Sequence, residues 1–113
     1  MKEIKAIIQP FMATKVIDAL REIPELPGVT VSSVKGFGRG RAESAKHKVV
    51  EDSIEYAMKT KLEIVVADDL VEKVVETIQE NAHTGNVGDG KIFIYTVNDA
   101  VRIRTGERGE KAI

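Results

Sequence analysis

The chain contains no cysteine, and aromatic residues make up only 4% of it. The first absence removes disulfides, thiolate metal sites and any thiol chemistry. The second leaves little material for the stacking platforms that hold single-stranded nucleic acid. A basic surplus is missing as well: 17 Lys and Arg stand against 18 Asp and Glu, a formal charge of −1 that argues against a general nucleic-acid binder. No apolar run approaches the roughly 18–20 residues of a membrane helix, and the first residues lack a secretory apolar region. The expectation is a soluble, cytoplasmic protein whose 113 residues form one domain around a single modest core.

The pattern of what is present sets out the elements. Residues 2–9 place Ile4, Ala6 and Ile8 on one face and Ile7 on the other, a strand signal. Val16, Ile17, Leu20 and Ile23 follow helical spacing, and Pro24 and Pro27 end that helix. Val29–Val34 is β-branched and alternating, and Leu62, Ile64 and Val66 alternate with charged residues, so both read as strands. Leu70, Val71, Val74, Val75 and Ile78 make the apolar stripe of a second helix, with Asp68 and Asp69 as candidate caps. Glu72, three residues after Asp69, suggests a capping box, and Gly85 is the expected punctuation after the helix. Ile92–Val97 is a strand apolar on both faces, which suggests helices on one side and a neighbouring subunit on the other. Val101 and Ile103 suggest a short fifth strand.

The order β-α-β, β-α-β predicts the α+β class and a ferredoxin-like βαββαβ sandwich. Residues 37–58, between the second and third strands, are read as a long charged loop; a connection of that length in a compact domain is more often functional than not.

Gly88-Asp89-Gly90-Lys91 precedes the last strand. Glycines flanking one residue let backbone N–H groups converge as an anion nest, and Lys91 adds a charge at its mouth, although Asp-Gly also suits a plain tight turn. Gly36-Phe37-Gly38-Arg39 is a second glycine-rich turn. It is not a dinucleotide fingerprint, because no helix follows and the last glycine is misplaced. Arg102 and Arg104, two apart on an expected strand, would point the same way and fork a phosphate; their alternative is a charged edge that resists aggregation. Together these elements suit a polyphosphate site whose parts need not all meet within one subunit. His47 and His83 have no metal-ligand spacing, and no Ser, His and Asp framework is evident, so nothing in the residues supports an enzyme.

The run Thr84-Gly85-Asn86-Val87-Gly88-Asp89-Gly90-Lys91-Ile92-Phe93-Ile94 resembles the C-terminal signature of P-II nitrogen-regulatory proteins. Lys35–Arg39, Glu63–Val66, Arg102–Glu107, Ala6–Ile8 and Pro10-Phe11 resemble the same family in the same order across the whole chain. The resemblance implies a homotrimer with nucleotide clefts between subunits and a partner-reading "T-loop" at residues 37–58. It implies that Gly36, Gly38 and Arg39 contact ATP or ADP, with AMP a further candidate. Gly88, Asp89, Gly90, Lys91, Arg102 and Arg104 would surround the phosphates, the arginines reaching from the adjacent subunit. Ile7, Thr30 and Val65 fall where the family lines the adenine pocket, and Lys59 where it contacts an oxoacid.

Three positions depart from the family pattern. Gly40 replaces the glutamine that coordinates Mg²⁺ and helps hold 2-oxoglutarate, Asp52 replaces the uridylylated tyrosine, and Val50 replaces the serine phosphorylated in some members. The expected function is therefore nucleotide-dependent regulation of a partner, a membrane transporter or a metabolic enzyme, with Mg²⁺ and 2-oxoglutarate binding in doubt and bicarbonate another possible effector. A slow ATPase and a nucleotide-independent trimeric adaptor are the alternatives.

Overall fold

The computed structural model describes residues 1–38, 48–51 and 54–113. Five strands and two helices follow in the order β1 (Lys2–Ile8), α1 (Ala13–Arg21), β2 (Thr30–Gly36), β3 (Lys48–Glu51), β4 (Ile54–Val66), α2 (Val71–Ala82) and β5 (Gly90–Thr96). Four strands form an antiparallel sheet in the order β2-β4-β1-β5, and β3 pairs with the first residues of β4. With both helices on one face, this is the ferredoxin-like sandwich that the alternating pattern predicts.

The core lies between that face and the helices. Ile4, Ala6 and Ile8 from β1 and Leu62, Ile64 and Val66 from β4 pack against Val16, Leu20, Val74 and Ile78 from α1 and α2. Each fully buried Leu or Ile contributes roughly 1.5–3 kcal/mol of apolar transfer, so the period-2 and period-3.6 stripes dictate which faces meet. β1 and β4, at the centre, are the strands the helices cover. β2 and β5 contribute none of the buried core residues.

In β5, Ile92 packs at the margin of the core, but Phe93, Ile94 and Tyr95 are all close to half exposed among the described residues. Ile94 lies on the helix side, opposite the buried Ile4, yet is 49% exposed.

Three local expectations require correction. The capping box does not form: Asp68–Leu70 make a turn of 3-10 helix, α2 begins at Val71, and no side chain caps it. Asp68 instead lies 3.0 Å from the N-terminal ammonium and 3.7 Å from Lys2 Nζ, and the hydrogen bond from the terminus holds its carboxyl below the usual range. Gly85 does not close α2, whose C-cap His83 is already extended; it takes φ +89° in the turn beyond. The fifth strand is a single bridge, Val101 to Arg108, and residues 103–105 form a turn. Gly106, at φ +75°, donates to Arg102 O at 2.7 Å, and Arg102 N donates to Glu107 O at 2.9 Å. Those closures form before a strand can run on.

The third main strand is longer than its apolar alternation suggests. It starts at Ile54, and β3 folds back on it with Lys48 opposite Ala57 and Glu51 opposite Ile54. Part of the 37–58 segment is therefore a β-ribbon. At its root the Phe37 and Tyr56 rings are 5.9 Å apart, with Lys35 Nζ 5.5 Å from the Tyr56 ring.

Candidate anion site

The face of the sheet away from the helices carries the candidate residues. On it the ladder sets Lys91 of β5 beside Ile7 of β1, and Ile7 beside Lys61 of β4. One register step toward the β1 C-terminus brings Gly90 opposite Ile8. Here the backbone crowds so closely that a Cβ on Gly90 would lie 1.7 Å from Ile7 O, and Gly90 itself has φ +106°. Only glycine fits. Gly88, at φ +99°, is pressed against the Gln9 amide, where a Cβ would come within 2.9 Å of Nε2.

Lys59 closes this corner. Its Nζ donates to Gly88 O at 2.8 Å; partial burial lowers its pKa, and Asp89 nearby works in the opposite direction. Gly36 ends β2 two residues beyond Val34, the partner of Lys59, so it borders the same corner, and Gly38 follows, exposed. Arg39, Gly40 and Asp52 lie outside the described residues. Lys59 bonds the glycine turn and Lys91 follows it, while Lys61, which was not among the residues singled out above, flanks Ile7 across β1 and is held 3.4 Å from Glu63.

Asp89 has a different role from its neighbours. One carboxylate oxygen accepts from Thr84 N at 2.8 Å and Gly85 N at 2.9 Å, and the other accepts from the Thr84 hydroxyl. The Thr84 hydroxyl bond is the main cause that holds this carboxyl below its usual pKa, with the Thr84 and Gly85 amides adding to it. Both oxygens are engaged within the turn, so Asp89 holds the turn's shape, while the Lys91 side chain is exposed beside it.

The remaining candidates gather elsewhere. Thr30, Val65 and Arg102 line a depression of about 550 Å³ with Glu3, Glu63 and the C-terminal Ile113. Glu3 is paired with Val65 and Ile7 with Lys61, four residues along β1 or about 13 Å. Within one chain Ile7 therefore lies apart from Thr30 and Val65. Arg102 and Arg104 do not form a strand fork either: both sit on the C-terminal turn, where Arg102 Nη1 is 3.3 Å from Glu107 Oε1 and Arg104 is exposed. One chain thus holds the candidate residues in two separate places, a lysine and glycine corner and a depression lined by Arg102. Among the described residues no group of His, Asp and Glu is arranged to hold a metal ion, and no helix is long and apolar enough to cross a membrane.

A two-helix antiparallel sandwich with a stapled glycine turn beside a cationic sheet corner is the architecture of a small regulatory protein of the P-II kind. The family model for nitrogen regulatory protein P-II matches residues 1–107. Nitrogen regulatory protein P-II of Rhodospirillum rubrum is 49% identical over 113 residues, covering all of both chains, and that of Haemophilus influenzae is 45% identical over the same span. The crystal structure of Arabidopsis thaliana PII bound to citrate superposes with a TM-score of 0.79 at 45% identity, covering 99% of this chain and 91% of that one. The chain belongs to the P-II family. Its relatives carry the names of regulators, in keeping with a signalling protein and not an enzyme.

Proposed function

We propose that this P-II protein binds ATP or ADP, with AMP a further candidate, in clefts between the subunits of a homotrimer, and that the bound nucleotide sets how residues 37–58 engage a partner. The observation that carries the reading is the division of the site: the glycine turn with Lys59 and Lys91 lies at one end of an open sheet face, and Thr30, Val65 and Arg102 lie at the other. A second copy brings the two halves together. Exposed Phe93 and Tyr95 on the edge strand and Ile103, 99% exposed beside the two arginines, offer the apolar contacts such packing needs.

In this reading backbone N–H groups of the Gly88–Gly90 turn and the ammonium of Lys91 take the phosphates, while Arg102 and Arg104 arrive from the neighbouring subunit. The γ-phosphate distinguishes ATP from ADP by recruiting Lys91 or Arg39. One charge-assisted hydrogen bond, about 1.5–3 kcal/mol, exceeds the ~1.4 kcal/mol that changes a population ratio tenfold. Gly40 supplies no side-chain oxygen where the family has its glutamine, so the residues present do not fit Mg²⁺ held through that position, and 2-oxoglutarate retains only Lys59. Asp52 has no phenol to uridylylate, and Val50 has no hydroxyl to phosphorylate. The partner is a transporter or metabolic enzyme met in the cytoplasm.

Calorimetry of the purified protein with AMP, ADP and ATP, each with and without Mg²⁺, 2-oxoglutarate and bicarbonate, tests this, alongside light scattering for a mass of three chains. Micromolar or tighter binding of at least one nucleotide is expected. Absence of any adenine-nucleotide binding would end the proposal.

A further inference from the structure

We propose that Glu107 is a built-in counterion of Arg102, which an incoming phosphate must displace, so that this one carboxylate sets how tightly phosphorylated ligands bind. The inference rests on the nucleotide reading above and names a residue that tunes it. Arg102 Nη1 stands 3.3 Å from Glu107 Oε1, and both side chains keep about two-fifths of their surface exposed, so a ligand can reach the pair. The contact is built into the turn. Arg102 N donates to Glu107 O at 2.9 Å, Gly106 N donates to Arg102 O at 2.7 Å, and Glu107 N donates to Thr105 Oγ1 at 3.2 Å. The Thr105 hydroxyl in turn donates to Glu107 Oε1 at 2.9 Å, which fixes the carboxylate beside the guanidinium.

The surroundings make Glu107 the residue to change. Glu3 and Glu63 line the same depression as Arg102, and Glu63 already has Lys61 at 3.4 Å. Of these carboxylates, Glu107 is the one bonded to the arginine among the described residues. A guanidinium so paired offers a phosphate less net attraction than a bare one, and the ligand has to supply the difference. A neutral nucleoside does not compete for the guanidinium, so its binding is indifferent to the pair. The charge-neutral Glu107→Gln change keeps an amide oxygen for the Thr105 hydroxyl and removes only the competing charge.

Calorimetry with ADP and with adenosine, on the wild-type protein and on Glu107→Gln, decides the matter. The expected result is ADP binding tightened about two- to fivefold, the range an exposed ion pair allows, with adenosine unchanged. Arg102→Gln should weaken ADP, and adding Glu107→Gln to it should then have no further effect. A general loosening of the turn cannot produce tighter binding, so the sign separates a counterion from a structural role. Unchanged or weaker ADP binding by Glu107→Gln, or equal tightening of adenosine, would overturn the inference while leaving the nucleotide reading in place. A wild-type protein that binds no ADP would take both down.

Discussion

Two turns in this protein are built from the same parts and differ in what surrounds them. The turn before β5 has glycines at positive φ, Gly85, Gly88 and Gly90, and an aspartate, Asp89, that accepts from Thr84 and Gly85. The C-terminal turn has Gly106 and Gly109 at positive φ, and Asp99 accepts from Ala100 N, Gly109 N and Arg108. In the first, Gly90 is set against the backbone of β1, where a Cβ would fall on Ile7 O, and Gly88 lies against the side chains of Gln9 and Lys59. In the second, a Cβ added at either glycine would meet nothing within 4 Å. The first turn is wedged into the fold, which fixes where its backbone lies. The second is closed by its own hydrogen bonds, with its two glycines unconfined on the Cβ side.

Substitutions that separate local conformation from tertiary crowding test this contrast. Gly90→Ala combines a left-handed backbone with a backbone clash at 1.7 Å that no rotamer relieves, and should lose upward of about 3 kcal/mol in denaturant unfolding, or fail to fold. Gly88→Ala meets only the Gln9 amide end at 2.9 Å, which can swing aside, so about 1–2 kcal/mol is expected. Gly109→Ala carries the conformational cost alone, about 1 kcal/mol. A Gly90→Ala protein as stable as Gly109→Ala would erase the distinction between the turns.

Acid provides the smallest and most local probe. Asp89 is held below its ordinary value of 3.8 chiefly by the Thr84 hydroxyl, and Asp99 below the same value chiefly by Arg108. Each folded pKa is depressed, so each group stabilises its turn above pH ~4 and loses that contribution as pH falls through the folded value. Amide exchange of Gly85 and of Gly109 should therefore rise below pH ~4, after allowance for the intrinsic pH dependence of exchange, while the β1 and β4 amides stay protected. In Asp89→Asn the Gly85 response should vanish and the Gly109 response remain.

Local periodicity made most of the fold legible. The stripes in β1, α1 and α2 marked their buried faces, because a period-2 or period-3.6 pattern has one way to turn its apolar side inward. The misreadings share a cause. Asp68 looked like a cap until the N-terminal ammonium, distant in sequence, took its carboxylate. Arg102 and Arg104 looked like strand neighbours until Gly106 and Glu107 closed a turn around them. Lys61 was passed over because alternation alone does not tell which charged residues flank Ile7. In the candidate site, the glycine turn was readable from its residues, whereas the inward role of Asp89 was not, since a carboxylate in Gly-Asp-Gly can face either way.

The sequence by itself determined the family, the element order and the glycine-rich character of the turn before β5, because these depend on residue type and spacing along the chain. Only the tertiary structure decided that Gly90 must be glycine, that Lys59 joins Gly88, and that Ile7 stands about 13 Å of strand away from the depression holding Thr30, Val65 and Arg102. Those are facts of strand register, and register is set by which faces bury one another across the sheet, a choice no local stretch of chain contains.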